Sequence, residues 1–217
     1  MTKLRTFVLG IGATFGLPWL FLIVIPFFEL RAIPPVDYDF DKDGRSGSYP
    51  GNHTDLDGVS VYASEGCAYC HTQVIRPVQV TLDGWRLGWG QDQQGKPEEP
   101  TRPTRPEDYQ GESYAHLGIM RTAPDLANVG YRYDRLGFFK LLYDPRAPQS
   151  WSSMPAYRHL FNKQPLQGEP SADAVEVNEE EGYQVVPSPK ARALVDYLMS
   201  LKRDLPIPAA LASGRPD

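Results

Sequence analysis

The chain has 217 residues, 41% of them hydrophobic and 23% charged, with 21 prolines, 19 glycines and a formal net charge of −5. That length holds one moderate domain with extensions or two very small ones, and the composition excludes coiled coil, collagen and wholesale disorder. The acidic balance leaves no basic field to hold nucleic acid, and two cysteines cannot build a disulfide scaffold.

A mean hydropathy of −0.42 conceals an uneven start. Between Arg5 and Glu29 runs TFVLGIGATFGLPWLFLIVIPFF, 23 residues without a charge. At 1.5 Å per residue this run is about 34 Å long, slightly more than the roughly 30 Å hydrocarbon core of a bilayer. Gly10, Gly12, Gly16 and Pro18 would weaken a soluble helix and are better tolerated in lipid. A cleaved signal peptide has an apolar core of about 7–15 residues and a small-residue cleavage site. Here the run is longer, and Phe27-Phe28-Glu29-Leu30 is a poor site, so residues 1–31 read as a cytoplasmic stub and an uncleaved single-pass anchor. Trp19 falls in mid-span, against lipid or a packing partner. Lys3 and Arg5 precede the span, and the positive-inside rule keeps them in the cytoplasm. Removing those two from the 22 basic residues leaves 20 against 27 acidic, a net −7 for the exported part.

Residues 32–55 are rich in Pro, Asp, Gly and Ser and read as an extended connector. Within them Asp39, Asp41, Asp43 and Gly44 match the first half of a calcium loop, but the position of the bidentate Glu is Pro50 and no helix leads in. The segment therefore reads as a solvated acidic turn. Residues 56–205 form the main domain. Asp57 can cap a short helix to about Gly66, with Val59, Tyr62 and Ala63 on one face. Residues 91–113 read as an inserted polar surface loop. A second helix is expected from Asp134 through Phe138, Phe139, Leu141 and Leu142, stopping before Pro145. Residues 162–187 form another polar insertion, with Glu179, Glu180 and Glu181 as a solvated run. The last helix is capped by Ser188, has Pro189 in its first turn, and repeats Ala191, Leu194, Leu198 and Leu201 at helical spacing. Residues 206–217 are a tail. The expected fold is mainly α, an N-terminal transmembrane helix followed by a small helical domain. So small a core needs reinforcement by a staple or cofactor.

Both cysteines lie in Cys67-Ala-Tyr-Cys70-His71, the C-x-x-C-H attachment pattern of a c-type haem. Two thiols on one turn can each add to a haem vinyl group, and the adjacent His71 is then placed to coordinate the iron. A thioredoxin-like dithiol requires a βαβ context that the chain lacks. A zinc site requires further ligands, and only His53, His116 and His159 remain, at unrelated spacings. For the sixth iron ligand Met154 is favoured, in the irregular Ser152-Ser153-Met154-Pro155 loop. Met120, His116 and His159 stay open, while Met199 sits on the last helix where packing is its task. Around Arg121-Thr-Ala-Pro124-Asp125-Leu126, the Pro124 carbonyl could orient His71, Leu126 could pack on the haem ring and Arg132 could reach a propionate. The rival reading is an ordinary turn with a surface arginine.

The order of these elements resembles class I cytochromes c: a short helix into Cys67–His71, a Pro-x-Leu segment, a methionine loop and a final helix crossing the first. More narrowly, residues 65–77 (EGCAYCHTQVIRP), 121–126 (RTAPDL) and 154–157 (MPAY) are similar to the monohaem subunit (subunit II, the O subunit) of cbb3-type cytochrome c oxidases. Ala123 stands where that family commonly has glycine, and the stretches 91–113 and 162–187 have no evident counterpart. The resemblance implies one covalent haem c on Cys67 and Cys70, axial His71 and Met154, and an inner-membrane anchor with a periplasmic haem domain. It also implies partners: a catalytic haem–copper oxidase subunit and further cytochrome c subunits. On that reading the chain is not an enzyme by itself and relays electrons within an oxidoreductase complex. The alternatives are an anchored carrier of another respiratory or photosynthetic complex, and a non-haem thiol or metal-binding adaptor.

Overall fold

The computed structural model of the chain describes residues 3–31, 34–51, 57–91, 99–175 and 182–212, and the fold is mainly helical. It opens with α1 (Lys3–Trp19), a widened turn at Leu20–Val24 and α2 (Ile25–Arg31), one continuous rod. The widening has a local cause: Pro26 has no N–H to continue the ladder, and the Ile25 N–H bonds to Leu20, five residues back. Mean hydropathy reaches 2.2 in the most apolar stretch of Lys3–Glu29, none of which is buried against the rest of the chain. This helix is long and apolar enough to cross a membrane.

The stretch after it is not extended. β1 (Val36–Asp37) pairs antiparallel with β2 (Ser48–Tyr49), with Val36 opposite Tyr49, around the single turn α3 (Phe40–Asp43). Asp39 caps α3 by accepting the Asp41 N–H at 3.1 Å, and it pairs with Lys42 at 3.0 Å. Asp43 accepts the N–H groups of Asp39 at 2.9 Å and Ala209 at 2.8 Å. Two carboxylates of the acidic turn therefore serve as a helix cap and as a clamp on the C-terminal segment. Tyr38 donates to the Pro206 carbonyl at 2.6 Å, while Tyr49 is 1% exposed and donates to Asp108. Two tyrosine contacts in a polar stretch, one buried and one half-buried, carry no periodic signal, which is why the connector looks solvated in sequence.

The core is built by α4 (Gly58–Ser64), α5 (Arg135–Tyr143) and α6 (Pro189–Ser200). Asp134 caps α5 by accepting the Gly137 N–H at 2.8 Å, and Ser188 caps α6 by accepting that of Ala191 at 3.3 Å. Both bonds satisfy an orphan first-turn donor. Asp57 makes no such side-chain bond to α4, which ends at Ser64 and buries Val61 and Tyr62 while Ala63 stays exposed. α4 crosses α6 at Gly58, where a Cβ would lie 2.0 Å from the Ala193 carbonyl oxygen and 2.7 Å from the Tyr197 Cβ. A residue without a Cβ is what lets the two backbones meet. Tyr62 then packs edge-on against Tyr197, centroids 5.4 Å apart, with Leu194, Val195 and Leu198 buried beside them. Phe139 and Tyr143 of α5 meet Phe161 edge-on, at 6.3 and 5.3 Å.

Phe161 opens a hairpin in the tract 162–187: β3 (Phe161–Pro165) pairs antiparallel with β4 (Tyr183–Pro187), Phe161 opposite Pro187. Its first strand buries only Phe161, so no alternation announces it. Glu179, Glu180 and Glu181 lie outside the described residues. The stretch 99–113 is likewise more than a surface loop. Arg102 forks onto buried Asp108 at 2.9 and 2.7 Å and donates to the carbonyls of Arg203 and Leu205. Arg203, 2% exposed, donates to Glu112 and to Gln73 at 3.0 Å, and its guanidinium lies over the Tyr109 ring at 4.5 Å. Charges with such partners can be buried, and apart from Asp108 those partners are 91 to 130 residues away in sequence. α7 (Ala209–Ala212) ends the described chain.

Candidate functional site

From α4 the chain enters a tight turn over Cys67–Tyr69 in which the N–H groups of Cys70 and His71 both donate to the Cys67 carbonyl, at 3.2 and 3.0 Å. Two free thiols stand on this turn, Cys67 half-buried against the core and Cys70 exposed. Burial, with the Glu65 charge behind it, pushes the Cys67 thiol up to about 12, so it is protonated near neutrality. Tyr157, like Cys67, packs against the main core.

A second run of chain wraps the turn. The N–H groups of Ile119, Ala123 and Leu126 donate to the carbonyls of Ala68, Cys70 and Thr72 at 3.1, 3.0 and 2.7 Å, and the Gln73 N–H donates to Leu117 at 3.0 Å. Contact is closest at Gly118, with φ of +88°, where a Cβ would lie 2.3 Å from the His71 carbonyl oxygen. Asp125 locks the two runs together. Fully buried, it accepts from the Thr72 hydroxyl at 2.6 Å, from the N–H groups of Val74 and Ala127 at 2.8 Å each, and from Arg121 at 3.3 Å. Arg121 also donates to Thr72, to the Val74 carbonyl and to Asp83.

This frame fixes His71. Its Nδ1 lies 2.7 Å from the Pro124 carbonyl oxygen. A carbonyl only accepts, so Nδ1 carries the proton. Burial holds the imidazole below its ordinary pKa; the Pro124 bond opposes that shift and the Arg132 charge adds to it. A neutral ring with Nδ1–H engaged keeps an unprotonated Nε2, the form that binds a metal.

Of the other sequence-nominated residues, Leu126 is buried in the main core, and Met154 is half-buried against that same cluster, as are Cys67, Ala68 and Tyr157. Arg132 donates to the Asp125 carbonyl, and its buried Nε–H has no hydrogen-bond partner among the described residues. Burial pushes its pKa down, the mark of a desolvated cation, though the Asp125 charge opposes the shift. The rival sixth ligands are differently engaged. Met120 is 57% exposed, the His116 ring packs against Tyr62 and Tyr114 at 5.4 and 5.3 Å, and His159 Nε2 bonds to Glu65 at 2.8 Å. His53 lies outside the described residues, among which no three His, Cys, Asp or Glu side chains gather as a metal-binding group. Sequence reasoning missed Gly118, Arg121 and Asp125 as the frame of the site. Their residue types carry no periodic signal, and their partners are up to about fifty residues upstream.

No protein-family model and no curated protein matches the chain.

Proposed function

We propose that the chain is a membrane-anchored c-type cytochrome that relays electrons through one covalently held haem, as the monohaem subunit of a cbb3-type haem–copper oxidase. The observation that carries the haem reading is the His71–Pro124 bond: it presents a neutral imidazole with a free Nε2 directly after two unpaired thiols on one turn. Cys67 and Cys70 would hold the macrocycle through thioethers, and His71 Nε2 and the Met154 thioether would hold its iron. Arg132 fits the group as well: a desolvated guanidinium with an orphaned Nε–H suits a propionate carboxylate, because a buried cation is stable only with such a partner. When bound, the haem supplies one-electron redox chemistry at a potential that a thioether ligand raises.

The polypeptide's share is positional. Pro124 fixes the His71 tautomer and ring orientation, which also increases the ligand's basicity. Arg121 and Asp125 keep the turn from opening. With a single attachment motif in the sequence, the chain passes electrons on and oxygen reduction belongs to the partner subunit. The apolar helix Lys3–Glu29 anchors the domain, with Lys3 and Arg5 assigning the N-terminus to the cytoplasm. Assignment to the oxidase rests on the motif resemblance over residues 65–77, 121–126 and 154–157. A haem-dependent peroxidase stain on a denaturing gel tests the cofactor, and co-purification with a multi-span haem–copper subunit tests the complex. A stained chain that purifies alone would leave the anchored-carrier reading instead.

A further inference from the structure

Glu65 lies two residues before Cys67, and His159 five residues after Met154. The two are 94 positions apart in sequence, yet His159 Nε2 is 2.8 Å from Glu65 Oε2. The Glu65 side chain is only 19% exposed, against 60% for His159. The Tyr157 ring centroid is 5.9 Å from that of His159, and Tyr157, like Cys67, packs against the main core. The far side of the loop is held by the Tyr157 N–H to Leu142 at 2.8 Å, the Ser188 N–H to Leu160 at 2.9 Å and the Arg158 guanidinium over the Tyr143 ring at 5.2 Å. Within the loop itself, the Met154 N–H has a contact of 3.3 Å to the Ser152 hydroxyl.

From this we infer that Glu65 and His159 form a clasp that ties the methionine loop to the cysteine turn, so that His159 is a positioning residue for the sixth iron ligand. The inference rests on the proposed haem reading. The Nε2–H donates to the Glu65 carboxylate whether or not the ring is charged, and a charge-assisted bond is stronger than a neutral one. A thioether is a weak ligand that depends on its loop being held over the iron. An opening that moves residues 154–159 together breaks the clasp, so the clasp shifts the balance between ligated and displaced Met154. Exposed pairs of this kind shift an equilibrium by roughly 1.4- to 5-fold.

The test is imidazole titration of the purified ferric holoprotein, following loss of the near-infrared charge-transfer band of His–Met iron. Glu65→Gln and His159→Gln should each raise imidazole affinity by roughly 1.4- to 5-fold. The double variant should match the single ones, because the second change removes nothing further. The exchanged pair, Glu65→His with His159→Glu, should restore wild-type affinity, and it decides the matter should a single variant accumulate poorly. Unchanged affinities, additive effects or an exchanged pair as weak as the single variants would overturn the clasp while leaving the haem reading intact. A wild-type holoprotein that lacks the His–Met band would overturn the clasp together with the Met154 ligation, and a chain that acquires no covalent haem would overturn the haem reading itself.

Discussion

Gly58→Ala adds one methyl group at the crossing of α4 and α6, and the structure sets the size of the effect. The new Cβ would sit 2.0 Å from the Ala193 carbonyl oxygen and 2.7 Å from both the Ala193 carbonyl carbon and the Tyr197 Cβ. Two of those atoms are backbone, so no flexible side chain can swing away, and restoring even a 3.0 Å contact separates the helices by about 1 Å. A gap of 0.5–1 Å forfeits about a quarter to a half of each dispersion contact across it, and Val61, Tyr62, Leu194, Val195, Tyr197 and Leu198 all pack in the core around this crossing. Overpacking costs about 1–3 kcal/mol, and a rigid backbone obstacle puts this case near 3. For a chain of this length that lowers Tm by about 6–12 °C. Thermal unfolding of the detergent-solubilised full chain, followed by far-ultraviolet circular dichroism, reads the change. Gly12→Ala, where a Cβ meets nothing within 4 Å, serves as the control. A Gly58→Ala protein melting within about 1 °C of wild type would refute the close crossing.

Asp83 is buried, which by itself raises a carboxyl pKa, but bonds from Arg76 and Arg121 outweigh that and hold it well below the usual carboxylate range. Its contribution to stability is therefore fully present above the unfolded pKa of about 3.9 and is lost as pH falls through the folded value. Asp83→Asn should flatten the acid limb of an unfolding free energy–pH profile, and an unchanged limb would contradict this. Asp125→Ala orphans the Thr72 hydroxyl and two backbone N–H groups while Arg121 keeps Asp83 and the Val74 carbonyl, and at about 1–3 kcal/mol for each orphaned buried donor it should cost at least about 3 kcal/mol in denaturant unfolding. Met154→Leu should remove the near-infrared band and lower the potential while covalent haem is retained, and Met120→Leu should do neither; the reverse pattern reassigns the ligand. A version beginning at Ala32 behind a cleavable export signal should be soluble with an unchanged spectrum, and failure to acquire haem would give residues 1–31 a role beyond anchoring.

What could be read from the sequence was whatever is local. Asp134 and Ser188 announce their helices through a cap three residues from the donor each satisfies, and the apolar run from Thr6 to Phe28 needs no partner to be recognised. The Cys67–His71 pattern is local as well. The connector and the stretch 99–113 were misread because their burial rests on pairs such as Tyr49–Asp108 and Arg102–Asp108, together with bonds to Arg203 and Leu205. A sequence that looks solvated gives no sign of those contacts. The hairpin β3–β4 was missed because its first strand is polar on both faces beyond Phe161. Within the site, Pro124 is legible because a ligating His71 needs an acceptor for its other ring nitrogen, whereas Gly118 is required by a 2.3 Å approach to the His71 carbonyl that only the folded chain reveals.

The most direct measurement is the intact mass of the full chain, purified from the membranes of a host that attaches c-type haem, combined with its pyridine haemochrome spectrum. One covalent haem per chain is expected, absent when Cys67 and Cys70 are both replaced by alanine. A folded wild-type chain of unmodified mass, with both thiols open to maleimide, would contradict the assignment of this site to haem.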